Sequence, residues 1–302
     1  MPVNDELGKR MKEFYEQVPK TRLVRRTPVA IRIDGKAFHT FTRGFARPFD
    51  DILIKSMQNT MKYLCENIQG CVLGYHQSDE ITLILVDYKK LTSSAWFDYE
   101  VQKMTSIAAS MATMAFNKFF AQEVEHYDFE WKNSLTPQSV EIQSNHQKYL
   151  DTLRAAVEKG AMFDARVFSI PKEEVTNLIY WRQLDAARNS VQMVGQSYFS
   201  HKQLQNKSCN QIQDMLMTEK GINWNDFPVH KKRGSCCIKS EATTTFAIED
   251  ENGNVRTGNT ERPHWYIDLN IPQFKNEGRE YIDSLIRVGD DCSCPCNPIS
   301  VY

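Results

Sequence analysis

Two acidic positions that lie far apart in the sequence are of the type that binds metal ions. Asp34 follows a β-rich run at residues 29–33, and Asp79 and Glu80 lie in a predicted turn before an apolar run at residues 81–86. Carboxylates without an accompanying set of cysteine or histidine ligands favour a hard cation such as Mg²⁺. Two carboxylates can bridge a pair of metal ions that stabilises the attacking and leaving oxygens of a phosphoryl transfer. These residues therefore indicate metal-dependent phosphoryl-transfer chemistry.

The residues around the first acidic position suit a nucleoside triphosphate. Gly35, Lys36 and Ala37 could turn backbone N–H groups towards phosphate oxygens, as turns that contain glycine often do. Lys36 and Arg47 would supply positive charge, and Phe38 would offer a face for a base. Together they predict a nucleotide site beside the metal ions.

Each of these features also has an ordinary structural explanation. Asp34 and Gly35 alone are typical of a turn, residues 78–80 could be an acidic hairpin tip, and His39 could be a surface histidine. The prediction of a site depends on secondary-structure elements that bring the motifs together.

The hydrophobic pattern predicts six elements before residue 171. They are strands at residues 29–34, 71–76, 81–86 and 162–170, and helices at residues 50–69 and 98–120. This β-α-β-β-α-β order is that of a ferredoxin-like sheet in an α+β protein. The first two strands then run parallel, and the third, an almost wholly apolar strand, lies between them in mid-sheet. Asp34 and Asp79 would meet at one edge of that sheet.

We expect two regions in the chain. Residues 1–170 would form a catalytic domain with a polar, partly helical insertion at about residues 123–160, and residues 171–302 would be mainly helical. A small β-hairpin is predicted around residues 250–254. Three helix starts in the second region are indicated by a proline and two capping boxes, at Pro171, Ser200 and Ser208.

The composition predicts a cytoplasmic protein that does not enter membranes. The sequence has no run of about 18 apolar residues and no basic-then-apolar profile at its N-terminus. The formal net charge is −1, but basic residues are clustered, for example at residues 231–233. Such clusters suit local contact with RNA, and they also occur as solvated surface.

The eight cysteines are expected to be reduced thiols. Cys292, Cys294 and Cys296 form a C-x-C-x-C tail, whose spacing differs from that of common structural zinc sites. We therefore expect a loose or packed tail.

The motifs together resemble the tRNA(His) guanylyltransferase family. The resemblance is carried by residues 32–39, 45–50, 77–80 and 180–190, and it spans most of residues 5–122 and 160–235. Each motif alone would be weak, whereas the combination is specific.

The resemblance implies a polymerase-like palm that adds nucleotides in the 3′-to-5′ direction to the 5′ end of a tRNA. ATP would activate a 5′-monophosphate, the 3′-hydroxyl of GTP or another nucleoside triphosphate would then attack, and AMP would leave. Asp34, Asp79 and the carbonyl of Gly35 would bind two Mg²⁺ ions, and Glu80 would support catalysis. The residues that would contact nucleotide are Asp34, Gly35, Lys36, Ala37, Phe38, His39, Arg47, Asp50, Ser78 and Asp79. Family members are typically homotetramers.

Two departures point to the prokaryotic guanylyltransferase-like branch of the family. Residues 187–190 replace a His-Ile-Asn-Asn run of the eukaryotic enzymes, and His76 replaces a glycine. That branch resembles templated tRNA 5′-end repair enzymes. Arg47 also stands where lysine is common, which keeps the charge but changes the donor geometry. The tRNA would be bound by the helical region, through Arg188, Asn189, Lys202, Lys207, Lys231 and Arg233.

Two other functions are compatible with these residues. A nucleotidyl cyclase can share the palm and the two carboxylates, but it would need no RNA. A tRNA-binding protein without activity would bind tRNA and show no Mg²⁺-dependent turnover. The presence of Asp34, Asp79 and Glu80 together favours an enzyme.

Overall fold

The computed structural model describes residues 5–133, 139–249 and 255–288, which form a mixed α/β protein with one antiparallel sheet. Its strands are β1 (Val29–Gly35), β2 (Cys71–Gln77), β3 (Glu80–Leu85), β4 (Phe163–Ser169), β5 (Ser235–Glu249) and β6 (Val255–Asp268). Its α-helices are α1 (Glu6–Met11), α2 (Phe38–Phe41), α3 (Asp51–Asn67), α4 (Val101–Lys132), α5 (Val140–Lys159), α6 (Val175–Tyr198), α7 (His201–Leu204), α8 (Cys209–Lys220), α9 (Val229–Arg233) and α10 (Glu280–Asp283).

The six strands are arranged in the order β4-β1-β3-β2-β5-β6. β3 is antiparallel to both β1 and β2, so β1 and β2 run parallel on either side of it. The apolar run at residues 81–86 was predicted in mid-sheet, and β3 lies there with every residue buried. β4, whose sequence alternates charged and apolar residues, forms an edge of the sheet as predicted.

Alternating residues of the strands bury two faces of the sheet. One face packs against α3, α4 and α5 through a cluster that includes Ile31, Ile33 and Phe116. The other face packs against α6 and the C-terminal segment through Ala30, Leu73 and neighbouring side chains. Because both faces are covered, the ends of the strands are where polar groups of the sheet meet solvent.

The predicted end of the second helix is wrong. The prediction ended the second helix at residue 120, but α4 continues to Lys132, so the first part of the predicted, partly helical insertion is continuous with this helix. The physical reason is that Val124 continues the buried stripe of α4 one turn beyond Phe120.

The predicted hairpin is present, but it is long and belongs to the main sheet. β5 pairs with β6 from Cys236 to Glu249, and it also pairs with β2. The hairpin was predicted from its turn, residues 250–254, which lie outside the described residues. The predicted cysteine tail, with Cys292, Cys294 and Cys296, also lies outside them.

The capping boxes at Ser200 and Ser208 are confirmed at the starts of α7 and α8, and Pro171 precedes the short 3₁₀ turn that leads into α6. Among the described helices, none has both the length and the apolar composition that a bilayer crossing requires.

Candidate active site

The end of β1 and the turn between β2 and β3 bring two acidic residues together. Asp34 is in register with Glu80, and the N–H of Gly35 donates a hydrogen bond of 3.1 Å to the carbonyl of Asp79. Asp34 and Asp79 both line one cleft of about 660 Å³. The predicted juxtaposition of residues 45 positions apart is therefore present, because β3 separates two parallel strands that end on the same side.

The two carboxylates form an electrostatically unfavourable pair. Burial, and then the negative charge of Asp34, raise the pKa of Asp79 above its ordinary value. Within the described residues, neither carboxylate forms an ion pair with a basic side chain. Such a pair fits a divalent cation, although the described residues contain no group of three His, Cys, Asp or Glu side chains around it. The remaining ligands would have to be carbonyl, water or phosphate oxygens.

Glu80 does not share this environment. Its carboxylate accepts a 2.6 Å hydrogen bond from Nε of Arg182 on α6, and Arg32 lies 3.9 Å from its other oxygen. Burial raises the pKa of Glu80, and the charge of Arg182 opposes that shift. Glu80 is absent from the cleft lining, and its contacts fix β3 against α6; its role in catalysis stays a prediction.

The segment after β1 forms one wall of the cleft. Ala37 has a φ of 55° and precedes α2, and His39, Arg47 and Asp50 line the wall. Gly35 is required at the end of the strand, since a Cβ there would lie 2.2 Å from the ring of Phe38.

Two of the three N–H groups predicted to face phosphate have protein acceptors. The N–H of Gly35 binds the carbonyl of Asp79, and the N–H of Lys36 binds the carbonyl of Met162 at 2.8 Å. Within the described residues, the N–H groups of Ala37, Phe38 and His39 have no backbone acceptor. Of the predicted backbone donors only the N–H of Ala37 is therefore available, and those of Phe38 and His39 are available in addition.

The positive charge of the cleft also differs from the prediction. Arg47 lines the cleft as expected, whereas Lys36 is exposed and does not. Arg43 lines the cleft and was not proposed as a site residue. The sequence contained the signal, because Arg43 and Arg47 lie four residues apart in one short basic segment.

Phe38, which was predicted to offer a face to a base, lines the cleft, but most of its ring is covered by other aromatic rings. Its ring is 5% exposed and packs against the rings of Phe41, Phe116 and Phe163 at centroid distances of 5.1 to 5.6 Å. The side chain instead joins the turn after β1 to the hydrophobic core.

The motif at residues 180–190 lies on α6, and the part of this helix that follows the motif contributes to the cleft. Met193 and Gln196 line the cleft. Asn189 and Met193 also line a narrow neighbouring cavity that reaches His230 and shares Ser78 with the cleft. The motif therefore fixes β3 through Arg182 and lines the neighbouring cavity, while the turns of α6 that follow it line the cleft.

The residues predicted to bind tRNA fall into different environments. Lys202 and Lys207 are exposed. Arg188 and Asn189 both contact Asp185, Lys231 contacts Asp51 at 2.5 Å, and the guanidinium of Arg233 lies 5.8 Å from the centre of the Trp224 ring. Lys232, between the last two, is buried and donates to the carbonyl of Asn225, so it cannot grip an RNA backbone as its cluster suggested.

Comparison with known proteins identifies the family. A model of the tRNA(His) guanylyltransferase (Thg1) family matches residues 8–171. The chain belongs to this family. Its tRNA(His) guanylyltransferases are nucleotidyltransferases, and so is this chain. The tRNA(His) guanylyltransferase of Saccharomyces cerevisiae is 25% identical over 221 residues, which are 68% of this chain and 80% of the yeast enzyme. A protein of Acanthamoeba polyphaga mimivirus is 29% identical over 258 residues, 82% of either chain.

Solved structures of bacterial Thg1-like proteins are similar along nearly the whole chain. One, in complex with ATP, has a TM-score of 0.71 and 38% identity, and covers 94% of this chain and 100% of its own. Another, in complex with GTP, has a TM-score of 0.68 and 35% identity over the same shares of the two chains.

Proposed function

We propose that this nucleotidyltransferase is metal-dependent and adds nucleotides in the 3′-to-5′ direction to the 5′ end of a tRNA. The observation that carries the proposal is the pair Asp34 and Asp79, which share one cleft with Arg43 and Arg47. A cleft with two carboxylates at one end and two guanidinium groups in its wall suits a triphosphate with bound cations. Bacterial relatives that bind ATP and GTP support nucleotides as the occupants.

The scaffold of this activity would be a ferredoxin-like palm. Strands β1 to β4 with α3 and α4 supply it, in the spatial order β4-β1-β3-β2. The order and the antiparallel pairing support this assignment, which goes beyond the mixed α/β class.

Two chemical steps are proposed, as in the family that the chain resembles. The 5′-monophosphate of the RNA attacks the α-phosphorus of ATP, so that a 5′-adenylylated RNA forms and pyrophosphate leaves. The 3′-hydroxyl of a nucleoside triphosphate then attacks the 5′-phosphorus of the RNA, and AMP leaves. Both steps need an anionic phosphate to be held and neutralised at the attacked phosphorus.

The residues of the cleft fit these requirements. Asp34, Asp79 and the carbonyl of Gly35 would hold two Mg²⁺ ions, which when bound would neutralise phosphate charge and favour ionisation of the attacking hydroxyl. Arg43 and Arg47 would bind phosphate oxygens through their fork of donors. Exposed Lys202 and Lys207 would contact the tRNA backbone from the helical region.

One experiment tests the proposal. A tRNA that lacks its first nucleotide and carries a labelled 5′-monophosphate is incubated with the protein, ATP, the four nucleoside triphosphates and Mg²⁺. We expect a product extended at its 5′ end, and no extension without Mg²⁺. Binding of the tRNA without extension would contradict the proposal, as would formation of a cyclic nucleotide without RNA.

A further inference from the structure

The cleft wall that carries both guanidinium groups is a loop held by one buried carboxylate. This loop, residues 43–50 (the cleft loop), ends at Asp50, which is 5% exposed. One oxygen of Asp50 accepts the N–H of Leu53 at 2.9 Å and so caps α3. The other oxygen accepts the N–H of Ala46 at 2.9 Å, inside the loop. Asp50 therefore fixes the loop to the start of α3 on either side of Arg47.

The same carboxylate oxygen also accepts a hydrogen bond from outside this region. The hydroxyl of Tyr149, on α5, donates to it at 2.6 Å across 99 residues of sequence. A short bond between a hydroxyl and a carboxylate belongs to the stronger class of hydrogen bonds in proteins. Burial, and then the bond to Asp50, raise the pKa of Tyr149, so the hydroxyl remains a donor.

Helix α5 is itself held in place by aromatic contacts. Tyr127 on α4 packs edge-on against Tyr149 at 5.5 Å, and its hydroxyl lies 3.0 Å from Nδ1 of His146. Trp131 stacks on His146 at 3.8 Å. α5 also approaches the cleft loop directly, since a Cβ on Gly44 would lie 3.1 Å from a carbon of Thr152.

We propose that Tyr149 is a positioning residue for nucleotide binding, which acts through Asp50 to hold the cleft loop and its guanidinium groups in place. The inference rests on the proposed function of the cleft. It gives a role to α5, which lies in the segment that the sequence motifs do not account for. Tyr149 is not in the cleft lining, so it acts without touching the nucleotide.

The hydroxyl of Tyr149 is one of three donors to a buried carboxylate. Without it, Asp50 keeps the bonds from Leu53 and Ala46, so the fold should persist, while the oxygen that holds Ala46 becomes under-satisfied and the loop gains freedom. A loop that must be ordered when the nucleotide binds lowers affinity, because part of the binding free energy is spent on the ordering. The affinity for ATP should therefore fall by about tenfold, within the range of a charge-assisted hydrogen bond.

The test compares two variants that each lose one hydroxyl from the same aromatic group. In Tyr149→Phe we expect about tenfold weaker binding of ATP with Mg²⁺, measured by calorimetry, and faster hydrogen exchange at the N–H of Ala46. Tyr127→Phe, which leaves the bond to Asp50 intact, should bind ATP within about twofold of the parent protein. Tyr149→Phe should reduce the affinity for ATP less in the Arg47→Ala variant than in the parent protein, because the two residues act through one loop.

Unchanged ATP affinity and unchanged exchange at Ala46 in Tyr149→Phe would overturn the proposal. An equal loss in Tyr127→Phe would also overturn it, since the effect would then belong to helix packing. Fully additive losses with Arg47→Ala would contradict the route through the cleft loop. The hydrogen-exchange result is independent of catalysis, so it would stand even if the parent protein failed to extend tRNA and the proposed function were rejected.

Discussion

At the residue scale, the ionised carboxylate of Asp79 destabilises the folded protein. The raised pKa of Asp79 means that its ionised form is less favourable in the folded chain than in the unfolded one. The penalty is absent at a pH below the ordinary pKa of the group and grows as the pH rises through the raised pKa. A residue kept at such a position has a role other than stability.

The first prediction concerns Asp79→Asn. Its amide cannot supply the charge that binds a cation, so 5′ extension of tRNA should fall by at least about 100-fold, as expected for a loss of about 3 kcal/mol in the transition state. Without divalent cations, the melting temperature at pH 7 should rise, because a buried charge and its repulsion by Asp34 are both removed. The control is Asp214→Asn, an exposed carboxylate on α8, for which both quantities should stay near those of the parent. Retention of full activity in Asp79→Asn would exclude this carboxylate from catalysis.

The second prediction concerns Arg182, which pairs with Glu80 in the protein interior. Removal of the guanidinium in Arg182→Met leaves a buried carboxylate without its main partner. The free energy of unfolding in urea should fall by about 3–5 kcal/mol, as for other broken buried pairs. Arg188→Ala removes an exposed partner of Asp185 on the same helix and should change stability by less than about 1 kcal/mol. Similar losses in the two variants would mean that the Glu80 pair is not effectively buried.

At the element scale, the sequence was informative where the determining contacts are local. The alternation of β4, the apolar run of β3 and the capping boxes at Ser200 and Ser208 all depend on neighbouring residues, and these elements are present as predicted. The end of the strand at Asp34 and the turn before Glu80 were placed correctly for the same reason.

Contacts between distant residues were not predictable in this way. The role of Glu80 depends on Arg182, which is 102 residues away, and the bond from Tyr149 to Asp50 spans 99 residues. Phe38 looked like a base-stacking residue because its local motif lies beside the cleft, but aromatic rings from α4 and β4 enclose it. No local pattern contains that information.

The third prediction concerns His76, whose side chain contacts the turn between β2 and β3. The buried imidazole lies with Nε2 3.0 Å from the carbonyl of Ser78, a residue with a φ of 52°, and burial lowers the pKa of His76 to about 4. A histidine that stays neutral in the folded protein but has an ordinary pKa in the unfolded chain binds a proton only on unfolding. The folded protein is therefore destabilised as the pH falls below about 6.5.

Between pH 7 and pH 5 this group should lower the free energy of unfolding by about 2 kcal/mol. His76→Gln, which keeps a side-chain donor but does not titrate, should show a correspondingly flatter pH dependence in urea unfolding. His126→Gln is the control, because His126 is exposed on α4 and its removal should leave the slope nearly unchanged. Parallel pH profiles for the parent and His76→Gln would show that His76 is not held neutral in the folded protein.

At the scale of the whole molecule, the similarity to bacterial structures bears on how the incoming nucleotide is chosen. The chain resembles bacterial Thg1-like structures at 38% and 35% identity over 94% of its length. It resembles the yeast enzyme at 25% identity over 68% of its length. Residues 187–190 differ from the eukaryotic His-Ile-Asn-Asn run at every position except Asn189, and of the positions that differ Ser190 lines the cavity beside the cleft. The departure from the eukaryotic pattern therefore lies beside the proposed site of reaction.

The fourth prediction is that Watson–Crick pairing with the opposite acceptor strand selects the added nucleotide. The protein would then hold only the shape and backbone of the acceptor stem, a grip that weakens as salt is increased. Four truncated tRNAs, identical except for the unpaired base of the acceptor strand, are each offered all four nucleoside triphosphates, and the added base is identified by sequencing. We expect the added base to change with the opposing base in every case. Addition of guanosine whatever the opposing base would instead favour the eukaryotic-type activity, because the protein itself would then select the nucleotide.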